Sequence, residues 1–238
     1  MTDPITFVPR QTATLPGSAK FPFDLRVLPR GADRREVFGL RYRAYRDAWG
    51  IPLDPQEQYC DSYDDLESTV IVAAYDAGQC IGTLRVNFSH PWQSAATMPS
   101  AQFFPDVSMV KKQATGTIVE VSRLAIDPAI TNTSYRTTLY ASLLRAAFMV
   151  AHAAGVSMIL LAAKSDLVRF YQYMLGFKTI GETGIYPPVD VPVALLGGTF
   201  GEAQKYQRAQ NAFFKITDDE IASMKAAIAP ALAMPVAA

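Results

Sequence analysis

The sequence predicts a single domain of the α+β class, and three observations carry that prediction. Two runs rich in β-branched and apolar residues, Thr69 to Tyr75 and Cys80 to Phe88, are joined by Asp76-Ala77-Gly78-Gln79, a hairpin turn signal. The second half alternates strand and helix signals: a strand over Thr117–Asp127, a long apolar helix over Ser134–Ala154 closed by Gly155, a buried strand over Ser157–Ala163, and another helix ending at Leu175. The 238 residues are 50% hydrophobic and 18% charged, without internal repeats or low-complexity segments, so the chain can enclose one substantial core.

Taken from the N-terminus, residues 1–22 hold Pro4, Pro9, Pro16, Pro22 and Gly17 and read as an extended arm. Asp24–Leu28 is a short strand. Asp33 can cap a helix running to Trp49, with Val37, Leu40, Ala44 and Ala48 at helical spacing. Its other faces carry Arg34, Arg35, Arg41, Arg43 and Arg46, most of which read as solvated. A proline-containing loop, Gly50–Tyr59, leads to the acidic cluster Asp61, Asp64, Asp65 and Glu67. After the hairpin, His90–Gly116 reads as mostly irregular, with a helical turn around Ala101–Phe104. Ser165 or Asp166 caps the helix that ends at Leu175. Phe177–Ile180 starts a strand, and Val189–Leu196 is the last one. The domain proper is expected over 23–200, with a helical tail over 201–238 packed on it.

The strand TIVEVSRLAID holds two charged side chains, Glu120 and Arg123, among Ile118, Val119, Val121, Leu124 and Ile126. Charges inside a buried strand are costly unless paired or functional. Residues three apart face opposite sides of a regular strand, so the pair either serves two faces or sits astride a bulge. A structural ion pair is the plainer explanation; a carboxylate beside a cleft is the catalytic one.

Net charge is zero, with 22 basic and 22 acidic residues, which argues against non-specific nucleic-acid binding. No signal pattern opens the sequence, and no apolar run is long enough to span a bilayer. Cys60 and Cys80 fit a reduced, cytoplasmic protein. Neither cysteine has a partner at metal spacing, and with only His90 and His152 a His/Cys metal site is not expected.

The run RFYQYMLGFKTIGE (Arg169–Glu182), following that strand–helix order, resembles the GNAT N-acyltransferase fold. Arg41 with Tyr45, then Asp61-Ser-Tyr-Asp64, Gly82-Thr-Leu-Arg85 and Glu120-Val-Ser-Arg123 are similar to the ordered motifs of the acyl-homoserine-lactone synthases and of the related FeeM-type N-acyl amino acid synthases. The resemblance spans about residues 34–182 and implies a central mixed twisted sheet flanked by helices. The clear F-Y-x-x-x-L-G-F ending favours the acyl amino acid synthases. Glycines that would cradle the pyrophosphate of CoA are replaced: Arg136, Thr138 and Tyr140 stand in SYRTTLYASLL. That implies a donor thioester on the phosphopantetheine of an acyl carrier protein, with Arg136 meeting its single phosphate or the acidic carrier surface.

The implied reaction moves a long-chain acyl group from acyl carrier protein to the amine of an amino acid, with no bound cofactor; the product can partition into membranes. Glu120 is the expected base. The amides around Leu124, Ala125 and Ile126 are expected to hold the thioester oxygen, and Tyr171 is a candidate acid. Arg41, Arg85 and Arg123, opposite Asp61, Asp64 and Glu120, are expected to shape the acceptor pocket. Phe103, Phe104, Met109, Phe148 and Met158 are candidate acyl-channel residues, though aromatic and Met positions are more often plain core. The competing functions are homoserine-lactone synthesis from S-adenosylmethionine, CoA-dependent acetyl transfer, and a silent acyl-binding module.

Overall fold

The computed structural model describes residues 13–14, 23–185, 191–210 and 212–233. Its eight-stranded sheet runs in the order β1-β2-β3-β4-β5-β6-β8-β7. The strands are β1 (Ala13–Thr14), β2 (Asp24–Leu28), β3 (Thr69–Asp76), β4 (Gln79–Ser89), β5 (Ile118–Ile126), β6 (Met158–Lys164), β7 (Lys178–Ile185) and β8 (Pro192–Thr199). The helices are α1 (Arg35–Trp49), α2 (Asp106–Gln113), α3 (Thr133–Ala153), α4 (Val168–Leu175), α5 (Phe200–Gln210) and α6 (Asp218–Leu232). Neighbouring strands are antiparallel except β5 and β6. A parallel pair needs a crossover, and α3 supplies it.

Strand alternation builds two apolar faces. On one, Val72, Val86, Val119 and Leu161 meet Leu139, Leu143 and Phe148 of α3, with Met224 and Ile228 of α6 behind them. On the other, Val37, Leu40 and Tyr45 of α1 cover Ile71 and Ala73, while Phe104 and the α2 residues Val107 and Val110 cover Ile118, Leu160 and Leu195. The polar side chains Arg85, Asn87 and Glu120 lie between these two smaller clusters. The C-terminal segment is clamped to α3: buried Arg145 meets Glu220 at 2.8 Å and the carbonyl of Phe213 at 2.8 Å.

The hairpin forms as expected, with Ala77 at φ 47° and Gly78 at φ 83°, the positive pair of a type I′ turn. Other elements depart from the sequence reading. The stretch read as irregular contains α2, which is short, and whose apolar stripe is interrupted by a buried lysine, Lys111. Asp33 lies one residue before the N-cap, Arg34, but still accepts the Arg35 amide at 3.1 Å. Ser165 does not cap α4; its hydroxyl bonds the Pro192 carbonyl at 3.1 Å, and a short 3-10 turn, Ser165–Leu167, leads in instead. β8 runs through Gly197 because a Cβ there would sit 2.5 Å from Leu160 Cδ2 of the adjacent strand, so a glycine here marks close approach and not a turn. Arg34 is buried, donating to the carbonyls of Leu28 and Asp64.

Candidate active site

Two irregularities of β5 make the site. Against β4 the register passes Val86↔Val121 and Arg85↔Ser122, then resumes at Thr83↔Ala125, so Arg123 and Leu124 together face Leu84 in a bulge. Arg123 takes φ 54°, a left-handed conformation uncommon for a non-glycine residue. The bulge turns its side chain to the face of Arg85. Both guanidinium groups grip one carboxylate, Arg85 Nη1 to Asp61 Oδ1 at 2.5 Å and Arg123 Nη2 to Asp61 Oδ2 at 2.6 Å.

Against β6, pairing runs from Ile118↔Met158 to Val121↔Leu161 and stops, although both strands continue. The strands part into a slot, and a cleft of about 630 Å³ passes through it. Tyr45, Trp49 and Tyr59 line it from the α1 face; Tyr140, Leu144, Phe170 and Tyr171 line it from α3 and α4. Its floor is Glu120–Ile126. The Asp127 amide bonds Ile81 on β4 at 3.0 Å. Alternation therefore turns the amides of Leu124 and Ile126 to the unpaired side. Tyr45 Oη occupies the Leu124 carbonyl at 2.8 Å and leaves that amide facing the slot.

Behind the cleft is a buried ion-pair network. Asp61 and Asp64 form a capping box on the 3-10 turn Ser62–Asp65, and Asp64 takes Arg41 at 2.8 Å and Arg85 at 3.2 Å. Burial by itself would raise Asp61, but Arg85 and Arg123 outweigh it and hold the carboxyl down at about 2. Asp64 is lowered for the same reason by Arg41 and Arg85. Arg41 Nε and Nη2 and Arg85 Nη2 are buried without a hydrogen-bond partner among the described residues.

Glu120 stands apart from this network. It makes no ion pair among the described residues and is seated on Ser100, whose amide lies 3.1 and 3.0 Å from its two oxygens and whose hydroxyl donates to Oε2 at 2.7 Å. Burial raises its pKa against the opposing pull of Ser100, Arg85 and Arg123. A buried carboxylate at the floor of a cleft, its pKa raised by burial against the donors of Ser100, is poised to exchange a proton. On the opposite wall Tyr140 donates to Tyr171 Oη at 2.5 Å, and burial raises the Tyr171 phenol.

A profile of the family described as N-acyl amino acid synthase FeeM matches residues 36–199. The chain belongs to the FeeM family. Among solved structures, FeeM itself, an N-acyl amino acid synthase from uncultured soil microbes, superposes with a TM-score of 0.63 at 17% identity, covering 76% of this chain and 92% of that one. The acyl-homoserine lactone synthase LasI gives 0.54 at 14% identity, over 73% and 86% of the two chains. BjaI, a CoA-dependent acyl-homoserine lactone synthase solved with S-adenosylmethionine and isopentyl-CoA, gives 0.53 at 14% identity, over 81% and 90%. At these identities the likeness is one of fold. No curated protein matches significantly. Family and fold make this FeeM-family chain an N-acyltransferase with a GNAT-like α+β architecture.

Of the residues that the sequence singled out, Glu120, Arg123, Leu124, Ala125, Ile126, Arg136 and Tyr171 line the FeeM-family cleft. Arg41, Asp64 and Arg85 lie behind it, 0–1% exposed, and reach it through Asp61 and Arg123. The acyl-channel residues do not line it. Phe148 packs with Phe200 on the α3 face, Phe103, Phe104 and Met158 belong to the core under α2, and Met109 is exposed. Aromatic and Met side chains reached the core there because burial, not a ligand, selects them. Ser100 was missed: it sits in a 3-10 turn with no periodicity to mark it. Tyr59 and Trp49 were missed as cleft residues; with Tyr45 they form an aromatic wall with ring centroids 5.4 Å apart. Among the described residues, no helix is long and apolar enough to cross a membrane.

Proposed function

We propose that the protein transfers a long-chain acyl group from the phosphopantetheine thioester of an acyl carrier protein to the amine of an amino acid. The observation that supports this most is the pairing of a buried, unpaired carboxylate, Glu120, with outward-turned amides at Leu124 and Ile126 in one slot. The amine approaches from the α1 side and gives its proton to Glu120 as nitrogen attacks the thioester carbon. The Leu124 and Ile126 amides receive the developing oxyanion. The C–S bond then breaks, and Tyr171, whose own oxygen accepts from Tyr140, has its proton to offer the departing thiolate. Arg123, on the cleft floor, reads the acceptor carboxylate, with Arg85 fixing it from behind through Asp61 and Arg41 standing one step further back on Asp64.

The donor end favours a carrier protein. The first turn of α3 is closed by its own Asn132 side chain, which accepts the Tyr135 amide at 2.9 Å, and Arg136, Thr137 and Tyr140 occupy the cleft wall where a pyrophosphate loop would need bare backbone. Arg136, on the α3 wall, is suited to one phosphate or an acidic partner, whereas Arg43 is paired with Asp127 at 2.7 Å and Lys164 donates to the Ala48 carbonyl at 2.9 Å on the α1 side. With the same acyl chain on both carriers, kcat/KM is expected to be at least tenfold higher for the carrier-protein thioester; equal or better use of CoA refutes the assignment.

The decisive experiment offers an acyl-carrier thioester to a panel of free amino acids and, separately, to S-adenosylmethionine, with products identified by mass spectrometry. An N-acyl amino acid is the expected product; an acyl-homoserine lactone alone would overturn the reading. Paired amino acid and amino acid amide then test Arg123. The free acid is expected to be acylated roughly tenfold or more better, as befits a charge-assisted contact worth about 1.5–3 kcal/mol. Equal use of acid and amide means no arginine reads the carboxylate.

A further inference from the structure

We propose that Ser100 is a positioning residue for Glu120: it saturates Oε2 and leaves Oε1 as the atom that takes the amine proton. The inference rests on Glu120 being the general base. Ser100 is fully buried in the 3-10 turn Pro99–Gln102. Oε2 receives its hydroxyl at 2.7 Å and its amide at 3.0 Å, whereas Oε1 receives only a share of that amide at 3.1 Å. A carboxylate oxygen has two lone pairs, so Oε2 is filled and Oε1 keeps one for a proton. The seat is itself anchored. Thr97 Oγ1 lies 3.0 Å from Ser89 Oγ of β4, and Gln102 Nε2 donates at 2.5 Å to Tyr63 Oη, on the turn that presents Asp61 and Asp64. Base and acceptor network are thus mechanically joined through one short segment.

Ser100 also sets when the base is available. Its donors serve the ionised carboxylate, against the burial that favours the protonated one. The charged groups acting on Glu120 are Arg85 from β4 and Arg123 from its own strand. Its register neighbours, Asn87 on β4 and Leu160 on β6, are neutral. Losing the hydroxyl therefore moves the carboxyl pKa upward, and the enzyme needs a higher pH to deprotonate its base.

The test measures kcat/KM against pH for the full chain with a dodecanoyl-carrier thioester and the amino acid selected by the acceptor panel, in wild type, Ser100→Ala, Ser100→Cys and Glu120→Gln. Ser100→Ala is expected to shift the acid limb up by about one pH unit, giving about tenfold loss below the limb and convergence with wild type above it. Ser100→Cys keeps the shape with a weak donor and should shift less in the same direction. A ¹³C-carboxyl NMR titration, with the Glu120 signal assigned by its loss in Glu120→Gln, should show the same upward shift without turnover. An even rate loss at all pH values with an unmoved carboxyl titration would make Ser100 purely structural and overturn the proposal. Near-normal activity in Glu120→Gln would instead remove the base itself, and with it the basis for Ser100.

Discussion

Glu120→Gln is expected to lower kcat/KM by roughly 10²- to 10⁴-fold while the protein keeps its fold. Glutamine is nearly isosteric and can still accept from the Ser100 hydroxyl through its amide oxygen. The Ser100 amide, however, now lies beside two different atoms instead of two equivalent oxygens. Burial without an ion pair is why the fold should survive. Glu120 makes no salt bridge among the described residues, and Arg85 and Arg123, which act on it at a distance, keep Asp61 as their partner when it is replaced. Circular dichroism and thermal unfolding should match wild type within a few degrees, with the loss confined to turnover. A variant near wild-type rate at every pH would refute the base assignment, and one that is inactive because it is unfolded would refute the claim that Glu120 is dispensable for stability.

Arg41→Ala is expected to behave in the opposite way, losing stability before it tests chemistry. Arg41 and Asp64 are both within 1% of complete burial and 2.8 Å apart. Removing the guanidinium leaves Asp64 with Arg85 at 3.2 Å and the Asp61 amide at 3.0 Å. Breaking a buried pair on one side costs about 3–5 kcal/mol, which for a chain of this size lowers Tm by about 6–20 °C. The pH dependence follows from the carboxyl shifts. Asp61 and Asp64 are depressed below the ordinary 3.8, Asp61 to about 2. Their stabilisation is present above about pH 4 and lost as pH falls through the folded values. The gap between wild type and Arg41→Ala should therefore be widest near neutrality and narrow in acid. Chemical denaturation at pH 7 and pH 3 measures it; a constant gap would place the Arg41 effect in packing and not in charge.

Much of this architecture was legible in residue order because it depends on local chemistry. The hairpin turn, the β-branched run of β5, the α3 crossover and the spacing of Arg41, Asp61, Asp64, Arg85, Glu120 and Arg123 are all written in short patterns. Tertiary accommodation is not. Glu120 was expected to join the arginine network, but its register partner is Asn87, two residues along from Arg85, and its actual seat is a serine from a segment without periodicity. Arg34 read as one more solvated arginine on a basic helix, yet two backbone carbonyls satisfy it inside the protein. The acyl-channel residues failed to reach the cleft because residue type alone cannot tell one face of the sheet from the other: Phe148 and Phe104 are equally apolar and lie on opposite sides of it.

The slot between β5 and β6 is open to both faces of the sheet, and its two mouths are built by different parts of the chain. Tyr45, Trp49 and Tyr59 belong to the first third of the sequence, while Tyr140, Leu144 and Phe170 come from beyond the central strand. On the proposed function, the parts that choose the amine and the parts that choose the acyl carrier come from different stretches of the chain and meet at a shared floor. The two mouths still touch the same floor, where Tyr45 holds the Leu124 carbonyl at 2.8 Å and Lys164 of β6 reaches the Ala48 carbonyl at 2.9 Å. A change of amine-side residues is therefore felt at the floor on which the donor carbonyl would rest, so the two specificities share one support.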